Sequence, residues 1–211
     1  MMSTDPKATD TDQGKSRSRK PAWRRFARSR DGAAAIEFAI LSIPYFLIIF
    51  AILETFIAFI GEQVLSNAVE VMSRKLRTGE ITYQHNNTTT DRNQLAFRKD
   101  FCDQIAVVIQ CSTDEIANPK RLYLDVRRFS SFADVPTYIP LVSSGQFSDL
   151  DTAEFGYSPG GPKDINMLRA YYRWQIMTDL VRSYISTIRP ASGSWDFLIV
   201  ATATFQNEDY P

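Results

Sequence analysis

The sequence predicts an α+β protein in which a long N-terminal membrane-spanning helix continues into a small extracytoplasmic domain. That domain is expected to hold an antiparallel sheet of about three to four strands with one or two packed helices. Two observations predict the helix: an apolar stretch near the N-terminus, and helical spacing of apolar residues beyond it. Three runs of alternating apolar and polar residues in the second half predict the sheet.

The apolar stretch has the length of one membrane span. Residues 38–53 carry no charge, and with residues 33–36 the segment reaches about 30 Å at a helical rise of 1.5 Å per residue, enough to cross a bilayer. A cleaved secretory signal has a short apolar core, which is followed by small residues at both positions of an A-x-A-like site. The apolar stretch of this chain is longer and is not followed by such a site, so we exclude a signal of this kind. We therefore predict a single transmembrane helix over residues 33–60.

The charges on either side of this span predict its orientation. Although the formal net charge is zero, residues 1–31 hold nine Lys and Arg against four Asp, and residues 33–211 hold 15 against 20 acidic residues. Eight of the nine basic residues fall between Lys15 and Arg30. Basic flanks stay in the cytoplasm, so the N-terminus is expected inside, beside the lipid headgroups, and the C-terminal domain outside. Beside a span, this basic cluster indicates topology and not nucleic-acid binding.

Glu37 is an acidic residue at the edge of the apolar segment, where an ionised carboxylate costs at least about 2.5 kcal/mol. Cleavage after Gly32 would create an α-amine on Ala33, with a reference pKa near 8. Glu37 would then be the fifth residue of the mature chain and share a helix face with that amine. In helices packed side by side, Glu37 of one subunit could pair with the amine of the next. The alternative for Gly32 is a glycine near a helix cap.

The segment GAAAIEF at residues 32–38, which follows the basic AWRRFARSRD, resembles the prepilin-peptidase motif of the tight-adherence (Tad) pilus system. Residues 30–73 resemble the TadE-like minor pilin family, which implies a pilin-like fold and removal of a cytoplasmic leader, residues 1–32, by cleavage between Gly32 and Ala33. The resemblance implies that Glu37 acts in processing or assembly. Many members of the family have Tyr after this Glu, where this chain has Phe38. The C-terminal residues 205–208 also resemble the aromatic Asn-Glu ending of many TadE-like chains.

The resemblance also implies partners. They are a prepilin peptidase, other pilins or pseudopilins, and the inner-membrane assembly platform of the pilus. The protein would then be a single-pass protein of the bacterial inner membrane with a periplasmic C-terminal domain, and it could be incorporated in an extracellular pilus.

Helical spacing continues beyond the span and predicts a stem over residues 61–79, which ends at Thr78 and Gly79. Residues 80–211 would form the extracytoplasmic domain.

Pro44 predicts a kink that frees the carbonyl of Ile40, with Ser42 available to compensate. Glu54, about 25 Å beyond Glu37 along the axis, is expected to be solvated near the outer interface. The apolar residues of the stem stripe are Val64, Leu65, Ala68, Val71, Met72 and Leu76.

Cys102 and Cys111 are the two cysteines of the chain, and both fall on the outer side. In an oxidising compartment such a pair predicts a disulfide, with two buried thiols as the alternative. An unbroken helix would place the two residues about 13 Å apart. The second helix, which is expected to start near Asp91, must therefore end and turn back before Cys111.

The alternating runs are each expected to turn one face to the core, giving a sheet with one covered face. The aromatic residues among them are interpreted as core, although a ligand platform would have the same pattern. A long excursion over residues 130–162 separates the first run from the second, and a short helix is expected within residues 177–188. The core-facing residues are Leu122, Leu124 and Val126 in the first run, Leu168, Ala170, Tyr172, Trp174 and Ile176 in the second, and Trp195, Phe197, Ile199, Ala201, Ala203 and Phe205 in the third.

Residues for catalysis are not apparent. The chain has one histidine, His85, and neither a phosphate-binding glycine loop nor a G-x-S-x-G motif, so we predict neither an enzyme nor a cofactor or metal site. The main hypothesis is a minor pilin or pseudopilin. The alternative is an uncleaved, signal-anchored envelope protein whose outer domain binds a ligand or partner, and a third hypothesis is an envelope hydrolase.

Overall fold

The computed structural model describes residues 30–85, 89–145, 147–190, 193 and 195–210. Most of the predicted leader lies outside these residues. The chain divides into two compact units, one that ends at Leu47 and one over Ile48–Pro211. Five helical segments and four strands are present in the described parts: α1 Arg30–Arg77, α2 Gln94–Ile105, α3 Thr113–Ala117, β1 Leu122–Phe129, a 3-10 turn Phe132–Asp134, β2 Tyr157–Ser158, β3 Ile165–Gln175, α4 Asp179–Ile185 and β4 Asp196–Gln206.

Helix α1 ends where the sequence predicts. Gly79 has φ +76°, a left-handed conformation that glycine adopts without steric cost, and its N–H donates to the carbonyl of Leu76 at 3.4 Å. Arg74, Lys75 and Arg77 occupy the last turn, where positive charge complements the helix dipole. The predicted stem is therefore confirmed as helix up to Arg77.

Helix α2 begins slightly later than predicted because Asn93 caps it. The Asn93 side chain accepts the N–H of Ala96 at 2.8 Å. The helix ends at Ile105, and the chain turns back so that Cys102 and Cys111 form a disulfide with Cα atoms 5.9 Å apart. The early end of the helix and the disulfide are both as predicted from the cysteine spacing.

The four strands form one mixed sheet in the order β2-β1-β3-β4. The three long strands pair antiparallel as predicted, with Leu122 opposite Tyr172 and Ile199 also opposite Tyr172 on its other side. The expectation of a wholly antiparallel sheet is corrected by β2, which pairs parallel to β1 over two residues, Val126 with Tyr157 and Arg127 with Ser158. The excursion after β1 returns alongside it in the same direction, and this produces the parallel pair.

The core lies between the stem of α1, helix α2 and one face of the sheet. The core-facing residues predicted within the strands lie on this face, but Ile176 follows the end of β3 and Trp195 precedes β4. Trp195 instead contacts Phe147, with ring centroids 4.9 Å apart, and lies beneath the Arg189 guanidinium. Buried residues of this core are Leu65, Ala68, Val69, Met72, Leu76, Ile81, Phe97, Phe101, Cys102, Ile105, Ile109, Leu122, Leu124, Val126, Leu168, Ala170, Ile199 and Ala201.

The prediction that only one face of the sheet is covered was wrong. On the opposite face of β3, Met167 and Tyr171 are fully buried, and the ring of Phe155 stacks on Tyr171 at 4.8 Å. Arg169 lies between them and donates to the carbonyls of Pro136 and Tyr138 at 2.6 and 3.0 Å. The excursion is therefore fastened over this face by hydrogen bonds to its backbone.

Candidate functional site: the span, the processing segment and the stem

The proposed cleavage site lies at the very start of α1. Gly32 is half-buried and Ala33 is exposed, and both belong to the first turn, since the helix begins at Arg30. The first four N–H groups of a helix have no partner within it. Opening this turn therefore breaks few backbone hydrogen bonds, and the bond between Gly32 and Ala33 can be made accessible without unfolding the rest of α1.

Glu37 and Phe38 are both exposed on α1, and Phe38 exposes 72% of its surface. Glu37 lies one helical turn after Ala33, the relation that the processing hypothesis requires. Within the described residues, Glu37 makes no ion pair. The carboxylate is thus available to a group outside the chain.

The surface around Glu37 is apolar and open. In the described chain, one helix is long and apolar enough to cross a membrane, and its most apolar 18-residue window has a mean hydropathy of 2.4 with none of it buried. Such a surface needs lipid or another helix to cover it. Its large exposed residues up to Leu53 are Ile36, Phe38, Ile40, Leu41, Ile43, Tyr45, Phe46, Ile48, Phe50, Ile52 and Leu53.

Pro44 lies inside α1, which continues on both sides of it. Ser42 does not compensate for the carbonyl of Ile40 as expected, because its hydroxyl donates to the carbonyl of Ala39 at 3.1 Å. Further along, the Thr55 hydroxyl bonds the carbonyl of Ala51 in the same manner, at 2.9 Å. Both hydroxyls are thus satisfied by the helix itself, as an apolar environment demands.

The stem packs closely against the sheet at Gly61. A Cβ atom at this position would lie 2.9 Å from Cζ3 of Trp174 and 3.6 Å from Cδ1 of Ile199. Contacts shorter than 3.0 Å are not tolerated, so a residue without a side chain lets the indole lie against the helix backbone. Gly61 therefore positions Trp174 on α1.

Glu54 was predicted to be solvated, and this was wrong. It is half-buried, and its carboxylate accepts the backbone N–H groups of Met177 and Thr178, which lead into α4. The sequence did contain a signal for this contact: Glu54, Gly61 and Leu65 are spaced by seven and four residues and thus extend the buried stripe of the stem. The carboxylate fixes the segment after β3 to the helix.

The C-terminal residues close the far end of the stem. The amide of Asn207 donates to the carbonyls of Gly160 and Gly161 at 3.0 and 2.9 Å. The ring of Tyr210 lies so close to Gly79 that a Cβ atom there would be 2.6 Å from its Cγ. Burial raises the pKa of the Tyr210 hydroxyl above its ordinary value. The C-terminal residues thus have a packing role in this chain.

Arg98 connects α2 to the small helix α3. It is buried, and its guanidinium donates to the carbonyls of Ile116, Glu115 and Leu122 at 2.8, 2.8 and 3.1 Å. Burial lowers the pKa of the Arg98 guanidinium below its ordinary value. The group supplies donors to carbonyls that would otherwise be unpaired at the end of a short helix.

A cavity of about 460 Å³ lies beneath the excursion and is lined by Arg127, Arg169, Tyr138 and Phe155 among others. Its arginines already have internal partners: Arg127 pairs with the buried Asp125 at 2.7 Å, and Arg169 is held by carbonyls. In the described residues, no group of three or more His, Cys, Asp or Glu is placed to hold a metal ion. We assign no cofactor or metal to the cavity.

Comparison with known proteins identifies a family model that matches the N-terminal part of the described chain. No curated protein and no solved structure is similar to this chain at a significant level. One family model, described as TadE-like protein, matches residues 32–74, which is about a fifth of the chain and agrees with the resemblance seen in the sequence. The family is one of Tad pilus-associated proteins and is not known for enzymatic activity. The segment that holds Gly32, Glu37, the candidate span and most of the stem is therefore TadE-like.

Proposed function

We propose that this protein is a minor pilin or pseudopilin that is inserted in the bacterial inner membrane with its N-terminus inside. A prepilin peptidase removes residues 1–32, and the mature chain enters a Tad-type pilus assembly through its apolar helix. The observation that carries the proposal is Glu37, exposed one turn after Ala33 within the TadE-like segment. Family resemblance, the single candidate span and the open apolar surface all favour this function.

The chemistry depends on the new N-terminus. Cleavage after Gly32 releases a cationic amine at Ala33, and low dielectric makes its attraction to a carboxylate of a neighbouring helix strong. The same low dielectric makes an unpaired charge expensive, so a helix in the wrong register is disfavoured. Glu37 would in this way set the axial register between adjacent subunits.

The N-terminus of the protein extracted from membranes tests this function. With its peptidase present, we expect the chain to begin at Ala33, and the Gly32→Leu variant to retain the leader. A wild-type chain that still begins at Met1 or Met2 contradicts the proposal. It would favour instead an anchored envelope protein with a partner-binding outer domain.

A further inference from the structure

Strand β4 forms one edge of the sheet, and its outer side is long and uncharged. The sheet order ends at β4, whose 11 residues Asp196–Gln206 are paired with β3 on one side. The opposite edge strand, β2, has two residues. Between Phe197 and Gln206 there is no charged residue, no proline and no glycine. Natural proteins protect exposed edges with charged residues, with proline or with very short strands, and residues 197–206 of β4 have none of these protections.

The hydrogen bonds of β4 identify which backbone groups face outward. The N–H of Asp196 donates to the carbonyl of Ile188 and that of Leu198 to the hydroxyl of Thr187, both on the side away from β3. Direction alternates along a strand, so Val200, Thr202 and Thr204 also direct N–H and C=O outward. Among the described residues, none forms a backbone hydrogen bond to these three on that side. Thr202 and Thr204 are exposed.

Antiparallel pairing with a second copy of this chain does not suit this edge. Ile199 lies near Gly61, and Phe205 lies beside Ser73 and Arg74, so β4 and the stem run in the same direction. Antiparallel pairing of β4 with its own copy rotates one molecule by half a turn about an axis normal to the sheet, which points the two stems in opposite directions. Two chains anchored in one membrane send their stems away from it in the same sense.

We propose that the outer edge of β4 binds an extended segment of a different protein, which adds a fifth strand beside Val200, Thr202 and Thr204. Pairing of this kind takes its affinity from main-chain hydrogen bonds and its specificity from alternate side chains. The residues of β4 beside the new strand define the chemistry of the partner segment. We expect this segment to be uncharged, with apolar side chains beside Ile199 and Phe205 and small β-branched side chains beside Thr202. The proposal rests on membrane anchorage but does not require leader cleavage.

Amide hydrogen exchange, measured residue by residue on the full chain in detergent, tests the proposal. The probe is a seven-residue peptide of alternating Val and Thr with every second amide N-methylated, so that it presents one pairing edge and does not aggregate. At ten times its Kd, we expect the amides of Val200, Thr202 and Thr204 to exchange about tenfold more slowly. Those of Ala201 and Ala203, which face β3, should not change. A fully N-methylated peptide should have no effect.

Two matched variants test whether the outward N–H is used. Thr204→Pro removes an outward N–H without removing a bond to β3, whereas Thr204→Val keeps the N–H and the side-chain shape. We expect the peptide to lose at least tenfold in affinity for the first variant and to keep its affinity for the second. If Thr204→Pro fails to fold, the wild-type chain still tests the proposal, because the peptide should protect only its outward amides from exchange.

Two results would overturn the proposal. In the first, the peptide leaves amide exchange at Val200, Thr202 and Thr204 unchanged, or it slows exchange at the inward-facing amides as well. The other is protection of the same three amides that rises with protein concentration and no peptide, because the occupant would then be a second copy.

Discussion

The backbone N–H of Glu208 donates to the carbonyl of Arg77 at 2.9 Å, and the two side chains form an ion pair at 3.5 Å. The last residues of the chain therefore satisfy a carbonyl at the end of the stem helix, where helices leave four of them unpaired. Neighbouring Asn207 holds the loop at Gly160 and Gly161. The C-terminal residues thus tie the stem to the turn before β3.

Asn207→Ala should destabilise the domain by about 1–3 kcal/mol, because it removes the buried amide that donates to the half-buried carbonyls of Gly160 and Gly161. Urea unfolding followed by circular dichroism measures this change. The control is Glu208→Gln, which keeps the backbone bond and removes an ion pair between side chains that are 47% and 60% exposed. Such exposed pairs contribute about 1 kcal/mol or less. Equal losses for the two variants would show that the amide of Asn207 has no special function.

Gly61→Leu should destabilise the contact between stem and sheet by about 1–3 kcal/mol, the usual cost of overpacking, because its side chain collides with Trp174. The control is Gly156→Ala, since a Cβ atom at Gly156 has nothing within 4 Å. Urea unfolding monitored by tryptophan fluorescence compares the two variants. If Gly61→Leu is as stable as the wild type, the indole does not lie against α1 as described.

The periodic parts of the chain were predictable from sequence. The stem stripe, the short α2 and the long strands follow from side-chain spacing, which is a local property. The disulfide could be predicted because two cysteines allow one pairing, and its geometry then required α2 to end early.

The contacts of the excursion could not be predicted in this way. Arg169 donates to the carbonyls of Pro136 and Tyr138. Since every residue has a backbone carbonyl, such a contact cannot be predicted from the residue types in the sequence. The parallel pair at β2 involves two residues of a segment without periodicity. The Glu54 contact was missed for a different reason: a carboxylate near a membrane surface was assumed to be hydrated, although its spacing placed it on the buried stripe.

Replacing Cys102 and Cys111 together by Ala should lower the free energy of unfolding by about 2.7 kcal/mol, the chain-entropy value for a loop of about ten residues. Unfolding in urea without reductant measures the difference. Added reductant should destabilise the wild-type domain and leave the double variant unchanged. A wild-type domain that is insensitive to full reduction would contradict a stabilising disulfide.

Tyr157→Phe should reduce the loss of stability at alkaline pH. The Tyr157 hydroxyl is buried without a hydrogen-bond partner in the described structure, and burial raises its pKa above the ordinary value of 10. Because the pKa of this hydroxyl is higher in the folded chain than in the unfolded chain, its contribution to the free energy of unfolding is fully present below about pH 10. The contribution is lost as the pH rises further, since the unfolded chain ionises first.

The measurement is urea unfolding between pH 8 and 11. The other tyrosines whose pKa is raised also contribute to the wild-type loss, so the difference between the two proteins reports Tyr157. At neutral pH the variant should be as stable as the wild type or more so, because an unsatisfied buried hydroxyl is removed. Parallel pH curves would show that this hydroxyl is hydrated.

Glu37→Gln should leave membrane insertion intact and impair assembly. Glutamine keeps the shape of the side chain and removes the charge that the proposed function pairs with the amine of Ala33. Loss of about 1.4 kcal/mol at a subunit contact lowers its equilibrium constant tenfold, so pili counted by electron microscopy should fall by that factor or more. Membrane fractionation checks insertion, and N-terminal sequencing separates failed processing from failed packing. If the variant is cleaved after Gly32 and piliation is normal, Glu37 does not set the register, since a neutral amide cannot replace an ion pair in a medium of low dielectric.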